Sequence, residues 1–224
     1  MTPALHHVGR ARQPVIAVDD FTGAPQDAVA LAAAMVPFPP AVGNYYPGLR
    51  RPIVAGDAAF GYVERLLEDA APFIGGAFDV DGFDLIEASF SMVTARPDTL
   101  DPAQRAPHFD SVDPDYIAVM HYLRETPGTA FYRQRATGIE TVDAGNVARF
   151  VGAATSVAAT MAGYIDRSND HYEQIGAVAG RADRLVAYRG AMLHSGIIPP
   201  DATFSADPRD GRLTTNIFVR LHRS

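Results

Sequence analysis

Two histidines, an aspartate and an arginine carry the most specific chemistry this chain can offer. His108-Phe109-Asp110 lies near the middle, His194 follows much later, and Arg212-Leu213-Thr214 stands close to the C-terminal end. Two imidazoles and one carboxylate form the donor set that holds a metal such as iron(II) on one octahedral face and leaves other positions open. In an extended segment, residues two apart project to the same side, so His108 and Asp110 can point together while Phe109 packs behind. Three consecutive residues cannot wrap an octahedral face, so the third ligand must come from another segment. His194, which closes the apolar run Ala191-Met192-Leu193, suits that role. A bare His-x-Asp is common, and each histidine is equally readable as a polar residue at a strand end. The specificity comes from the ordered combination with His194 and Arg212.

Arg212, Thr214, Asn216 and Phe218 share one face of the last predicted strand, and Leu213, Thr215, Ile217 and Val219 share the other. A guanidinium directed into a β scaffold needs a partner. Its planar fork matches a carboxylate in a bidentate fashion, and Thr214 adds a hydroxyl. Two readings stand: Arg212 receives the carboxylate of a ligand, or it forms a structural ion pair with an aspartate of Asp207-Pro208-Arg209-Asp210. Arg209 is the weaker candidate for the ligand carboxylate, because turn residues surround it. His121 competes as a metal ligand, but it shares a strand face with Ile117, Val119 and Leu123 and so reads as core or as support for the site. His171, near Asp166, Asp170 and Glu173, reads as surface, and His6, His7 and His222 as solvated.

The 224 residues include no cysteine, which excludes disulfides, thiolate metal sites and cysteine nucleophiles. Net charge is −7 with no basic footprint, so nucleic acid is not an expected partner. A 47% hydrophobic share supplies ample core. No secretory pattern opens the chain. The apolar stretch 151–165 is too short and too rich in small residues to span a bilayer. The expectation is a cytoplasmic protein with no membrane partner. Ser195 lies in no Gly-x-Ser-x-Gly elbow, and Gly75-Gly76 precedes Ala77-Phe78 rather than a phosphate-binding Lys-Ser/Thr.

The elements that must position these residues fall into two groups. Residues 1–13 read as a loose leader, and 15–18 as a short strand. Residues 26–35 read as a helix opened by Pro25 and stopped by Pro37, Pro39 and Pro40. An ordered loop with aromatics spans 44–52, and a helix spans 58–71, with Phe60, Val63, Leu66 and Leu67 at helical spacing. Beyond Phe83 the pattern predicts strands at 88–95, 116–123, 128–133, 184–188, 190–193 and 212–221, with turn residues between them. A helical insert at about 146–179, built from 147–165 and 168–179, interrupts them and suits a lid or a homodimer surface. The expected class is mainly β with flanking α: one domain over 1–224, with helical support in 1–82 and a β sandwich or barrel in 83–224.

With His108-Phe109-Asp110, His194 and Arg212-Leu213-Thr214 in that order, the chain resembles the Fe(II)- and 2-oxoglutarate-dependent oxygenase superfamily, whose pattern is His-x-Asp/Glu, His, then Arg/Lys-x-Ser/Thr. The run Val15-Ile16-Ala17-Val18-Asp19-Asp20-Phe21 followed by a helix is similar to the start of prolyl-hydroxylase-like members. Segments 116–123 and 128–132 stand where that branch has its strands after His-x-Asp. The likeness covers most of the chain, is better from Ala88 onward, and extends to an uncharacterised bacterial branch. It implies a double-stranded β-helix (jelly roll), with iron(II) on His108, Asp110 and His194. It further implies that 2-oxoglutarate has its far carboxylate on Arg212 and Thr214, that O2 is the second co-substrate, and that a peptide side chain or small metabolite is hydroxylated. Halogenating members have a small residue at the carboxylate position, so Asp110 implies a hydroxylase. The stretch 197–211, with three prolines, is longer than the family's usual gap, and the insert is long for the core. Candidates for supporting the metal or meeting substrate are Tyr122, Met120, Ser91, Val93, Asn216 and His121, with Tyr45, Tyr46, Arg50 and Arg51 at the rim. Two rivals remain: a cupin-like metalloenzyme without 2-oxoglutarate, which Asp110 disfavours because such sites usually have His-x-His, and a non-enzymatic jelly-roll binding module.

Overall fold

The computed structural model describes residues 1–43 and 45–223. Its strands in chain order are β1 (Thr2–Val8), β2 (Gln13–Asp19), β3 (Gly48–Pro52), β4 (Gly82–Val93), β5 (Tyr116–Tyr122), β6 (Thr126–Gln134), β7 (Tyr172–Gly180), β8 (Arg184–Arg189), β9 (His194–Gly196) and β10 (Leu213–His222). Its helices are α1 (Pro25–Ala34), α2 (Phe60–Phe78) and α3 (Val147–Ala158). Seven strands form one antiparallel sheet in the order β1-β2-β8-β5-β10-β4-β3, and three form a second in the order β7-β6-β9.

The period-two pattern of β10 and β5 explains the layers. Leu213, Ile217 and Val219 of β10, with Ile117 and Val119 of β5, point to one side and pack under Val63, Leu66, Ala70 and Ile74 of α2. Phe218 of β10, with Ala118 and Tyr122 of β5, points to the other side and meets Phe131, Val178, Tyr188 and Met192 between the two sheets. A third cluster gathers Phe150 of α3 with Tyr132, Ile165, Tyr172 and Leu193 over the outside of the small sheet. Helices α1 and α2 on one face of a two-sheet β core, with α3 over the small sheet, make up the mainly β, helix-buttressed architecture anticipated from the sequence.

Several local expectations are corrected. Residues 1–13 are not a loose leader: β1 pairs with β2 from Thr2↔Asp19 to Val8↔Gln13. Its side chains are exposed up to His7, so an edge strand here lacks the apolar alternation that reveals one. The insert is only partly helical. The helix ends at Ala158, and the stretch taken as a second helix is largely β7, paired with β6. Its Ala- and Gly-rich composition favours no strand on its own, and cross-strand pairing decides. The second half of the aromatic loop is β3, while Asn44 lies outside the described residues. Helix α2 continues past Ala71 through Pro72 to Phe78, and Asp79 ends it in the left-handed conformation at φ 55°. Residues 190–193 form a turn that leads into β9 rather than a strand.

His121 belongs to the helix-side layer. Its Nδ1 lies 2.6 Å from the Tyr62 hydroxyl and its Nε2 2.9 Å from Asp183 Oδ1. Asp183 also accepts hydrogen bonds from the Thr22 hydroxyl at 2.6 Å, from Gly23 N at 2.7 Å and from Thr22 N. Burial pushes the Asp183 carboxyl up, but the hydrogen bonds from His121, Thr22 and Gly23 outweigh it and hold its pKa at about 2. An unfolded aspartate titrates near ~3.9. The carboxylate therefore contributes its full stabilisation above about pH 4 and loses it as pH falls through about 2. Asp183→Asn keeps the volume and tolerates the φ of 62°, yet it turns an amide toward donors. It is expected to cost roughly 2–3 kcal/mol at pH 7, with the gap to the wild-type protein narrowing at pH 3. Urea denaturation at both pH values checks this.

A candidate metal centre and its cavity

His108 and His194 meet through their backbones before their side chains converge. His108 N donates to His194 O at 2.9 Å and His194 N to His108 O at 2.8 Å, an isolated antiparallel bridge. His108 and Asp110 therefore lie in an extended segment tied to the approach of β9, not in a long strand. Asp110 N donates to Gly190 O at 2.7 Å. Gly190 has to be glycine for this approach: a Cβ there would lie 3.1 Å from Asp110 Cβ and 2.8 Å from the Tyr116 ring. The sequence signal for Gly190 was only a glycine before an apolar run.

The side chains of His108, Asp110 and His194 place one ligand atom each within 4.8 Å of one another. His108 Nε2 is 3.8 Å from Asp110 Oδ1, and His194 Nε2 is 3.6 Å from Asp110 Oδ2. The two imidazoles stand 4.4 Å apart, centroid to centroid. His194 Nδ1 lies 2.8 Å from Met192 O. A carbonyl only accepts, so Nδ1 carries the proton, and in the neutral ring Nε2 keeps its lone pair toward Asp110. Burial, and then His194, hold His108 well below the usual imidazole pKa, so the His108 ring is neutral. Burial raises the Asp110 carboxyl, while His194 and Arg50 pull it down. Asp110 Oδ2 is buried without a hydrogen-bond partner. Two imidazoles beside an unpartnered carboxylate oxygen fit a metal cation, a partner that satisfies all three.

The triad opens into a cavity of about 770 Å³, a size suited to small molecules. Arg212 lines it. Its Nη2 donates to Gly128 O at 3.3 Å, and its Nε is buried without a partner. Among the described residues no carboxylate pairs with it, so the structural ion pair with Asp207 or Asp210 is absent. Arg209 instead contacts Asp207 at the surface, with 65% of its side chain exposed. Gly196 makes room for Arg212, because a Cβ there would lie 3.2 Å from Nη2.

The other sequence-predicted residues divide. Met120, Asn216, Tyr45, Tyr46, Arg50 and Val93 line the cavity. Thr214 is fully buried and donates to Asn216 Oδ1 at 2.8 Å. Tyr122 is buried below, with its hydroxyl 2.6 Å from Thr129 Oγ1. Ser91 receives a hydrogen bond from Arg50 Nε at 3.3 Å. The Tyr46 hydroxyl is buried, and Ser91 approaches it without completing a hydrogen bond. His121 lies outside the cavity, held by Tyr62 and Asp183, and Arg51 pairs with Asp57. Sequence reasoning missed Glu87, which lines the mouth, and the stripe Phe150, Ala154 and Ala158 of α3, which closes one side. The i, i+4, i+8 spacing of that stripe was the available signal.

A family model, Family of unknown function (DUF6445), matches residues 1–219. The chain belongs to that family. No curated protein matches it. Among solved structures, this DUF6445 chain is similar to the epimerase SnoN in complex with Fe3+, alpha ketoglutarate and nogalamycin RO. The match has 13% identity and a TM-score of 0.56 and covers 94% of this chain and 80% of SnoN. It is also similar to HygX from Streptomyces hygroscopicus with nickel and 2-oxoglutarate bound, at 13% identity and a TM-score of 0.54, over 93% of this chain and 83% of HygX. A HygX structure that also holds hygromycin B gives 12% identity and the same TM-score of 0.54. These likenesses establish the fold, the jelly roll implied by the sequence resemblance. Among the described residues, no helix is long and apolar enough to cross a membrane.

Proposed function

We propose that this protein is a non-haem Fe(II)- and 2-oxoglutarate-dependent oxygenase that hydroxylates a small organic substrate. The observation that carries the reading is one cavity holding both an unpartnered carboxylate oxygen between two imidazoles and a guanidinium with an unpartnered Nε. His108, Asp110 and His194 would hold the iron, which with 2-oxoglutarate supplies an oxidant strong enough to take a hydrogen from carbon. The overall change balances as substrate C–H, O2 and 2-oxoglutarate giving C–OH, succinate and CO2, with one oxygen atom in the product and one in succinate.

The chain's own residues do the rest. The Met192 carbonyl fixes the His194 ring and its tautomer. The Arg212 fork receives the far carboxylate of 2-oxoglutarate, with Thr214 and Asn216 beside it on the same strand face. Phe109, Phe150 and Phe218 exclude water from the reacting region. HygX and SnoN are solved with hygromycin B and nogalamycin RO, which supports a small molecule over a peptide.

The test is an anaerobic titration of the metal-free protein with Fe(II) and then 2-oxoglutarate, monitoring the visible charge-transfer absorption of the chelate. The expected band needs both additions. Tight metal binding without a band would favour the cupin-like enzyme, and no metal binding would leave the binding module.

A further inference from the structure

A second arginine lines the cavity, and the oxygenase reading gives it no task. Arg50 stands on β3 opposite Ser91 of β4. Its Nε is spent on Ser91 Oγ. Its guanidinium lies 5.4 Å from the Tyr46 ring centre and 5.8 Å from that of Phe218, and these contacts orient the fork. Among the described residues, the one acidic group that it pairs with is Glu87, with Nη2 to Oε1 at 3.9 Å. That is an ion pair at its outer limit and too long for a hydrogen bond. Glu87 also lines the cavity, with 58% of its side chain exposed.

Arg50 and Arg212 are held by different parts of the cavity wall. Arg50 is held by Ser91, Tyr46 and Phe218, and it lines the same cavity as His108 and Asp110. Arg212 is held at Gly128 O and lies against Gly196. The two guanidiniums are thus held by different partners, so a group on Arg50 leaves Arg212 free to hold another.

We propose that Arg50 and Glu87 are the polar anchor of the substrate, and that the substrate is an amino-acid-like zwitterion whose carboxylate meets Arg50 and whose ammonium meets Glu87. The identity of the anchor stands on its own geometry; that the bound molecule is then hydroxylated rests on the oxygenase reading. One long contact between the two side chains is replaced by two short charge-assisted hydrogen bonds to one ligand. A dicarboxylate would set one carboxylate against Glu87, and a simple amine would leave Arg50 unanswered, so the pair selects against both. The remainder of the molecule would lie against Phe150, Val151 and Ala154 of α3.

Equilibrium dialysis of the full-length protein against an equimolar mixture of the twenty L-amino acids tests this, run anaerobically with and without Fe(II) and 2-oxoglutarate. At least one amino acid is expected to concentrate with the protein. Its N-acetyl derivative and its carboxamide are each expected to bind at least tenfold more weakly. Arg50→Met should abolish retention of the amino acid, and Glu87→Gln, at an exposed position that tolerates the change, should weaken it at least tenfold. Failure of every amino acid to bind, equal binding of the blocked derivatives, or unchanged binding by Glu87→Gln would overturn the anchor. The chelate band reports separately. A band without amino-acid binding sinks the anchor and leaves the oxygenase, whereas binding without a band supports the anchor and sinks the oxygenase.

Discussion

His194→Ala is expected to weaken Fe(II) binding by at least about 100-fold, the upper end of what loss of a mere supporting partner costs, and to remove iron-dependent consumption of 2-oxoglutarate. The imidazole is the only part of His194 that reaches Asp110, whereas its bridge to His108 runs through the backbone. The variant therefore keeps the connection that brings β9 to the metal segment. It does lose ring contacts with Tyr188 at 4.8 Å and His108 at 4.4 Å, a packing loss of about 2 kcal/mol. Fe(II) titration by competition with a coloured chelator, beside urea denaturation, separates the two effects. Wild-type iron affinity in a folded variant would remove His194 from the site.

Arg212→Ala is expected to raise the 2-oxoglutarate concentration needed for half-saturation by roughly 30- to 150-fold, the equivalent of about 2–3 kcal/mol for a charged hydrogen-bonded pair. The iron requirement should not move. Arg212→Lys should recover only part of the affinity, because a point charge does not reproduce the fork. A second readout tells a ligand-binding arginine from a structural one. Its Nε is buried and unpartnered, and among the described residues no carboxylate pairs with it, so alanine should leave the stability of the ligand-free protein unchanged or raised. Removing one member of a buried ion pair would instead cost about 3–5 kcal/mol. Unchanged 2-oxoglutarate dependence would move the carboxylate site elsewhere.

Residue type and order alone made the donor set legible. Only histidine and carboxylate were on offer in a cysteine-free chain, His108 and Asp110 share a side by extended-chain geometry, and the alternation in 213–219 announced a strand with one face inward. The same alternation placed His121 with Ile117 and Val119, on the face that the helices cover. These are short-range properties, set by the period of the backbone, and a sequence displays them directly.

Tertiary structure decided what depends on a distant partner. Arg212 and Arg209 are three positions apart, and one faces the cavity while the other pairs at the surface, because Gly128 and Gly196 leave a place for the Arg212 guanidinium. The ambiguous stretch 172–180 became a strand because β6 lies beside it, and residues 2–8 became a strand because β2 does. Arg50 and Glu87, in two different strands and predicted as a rim residue and as nothing, meet because β3 and Phe218 of β10 flank β4. Pairing and approach are non-local: the backbone period tells which side a residue faces, and only the register between strands tells what it faces.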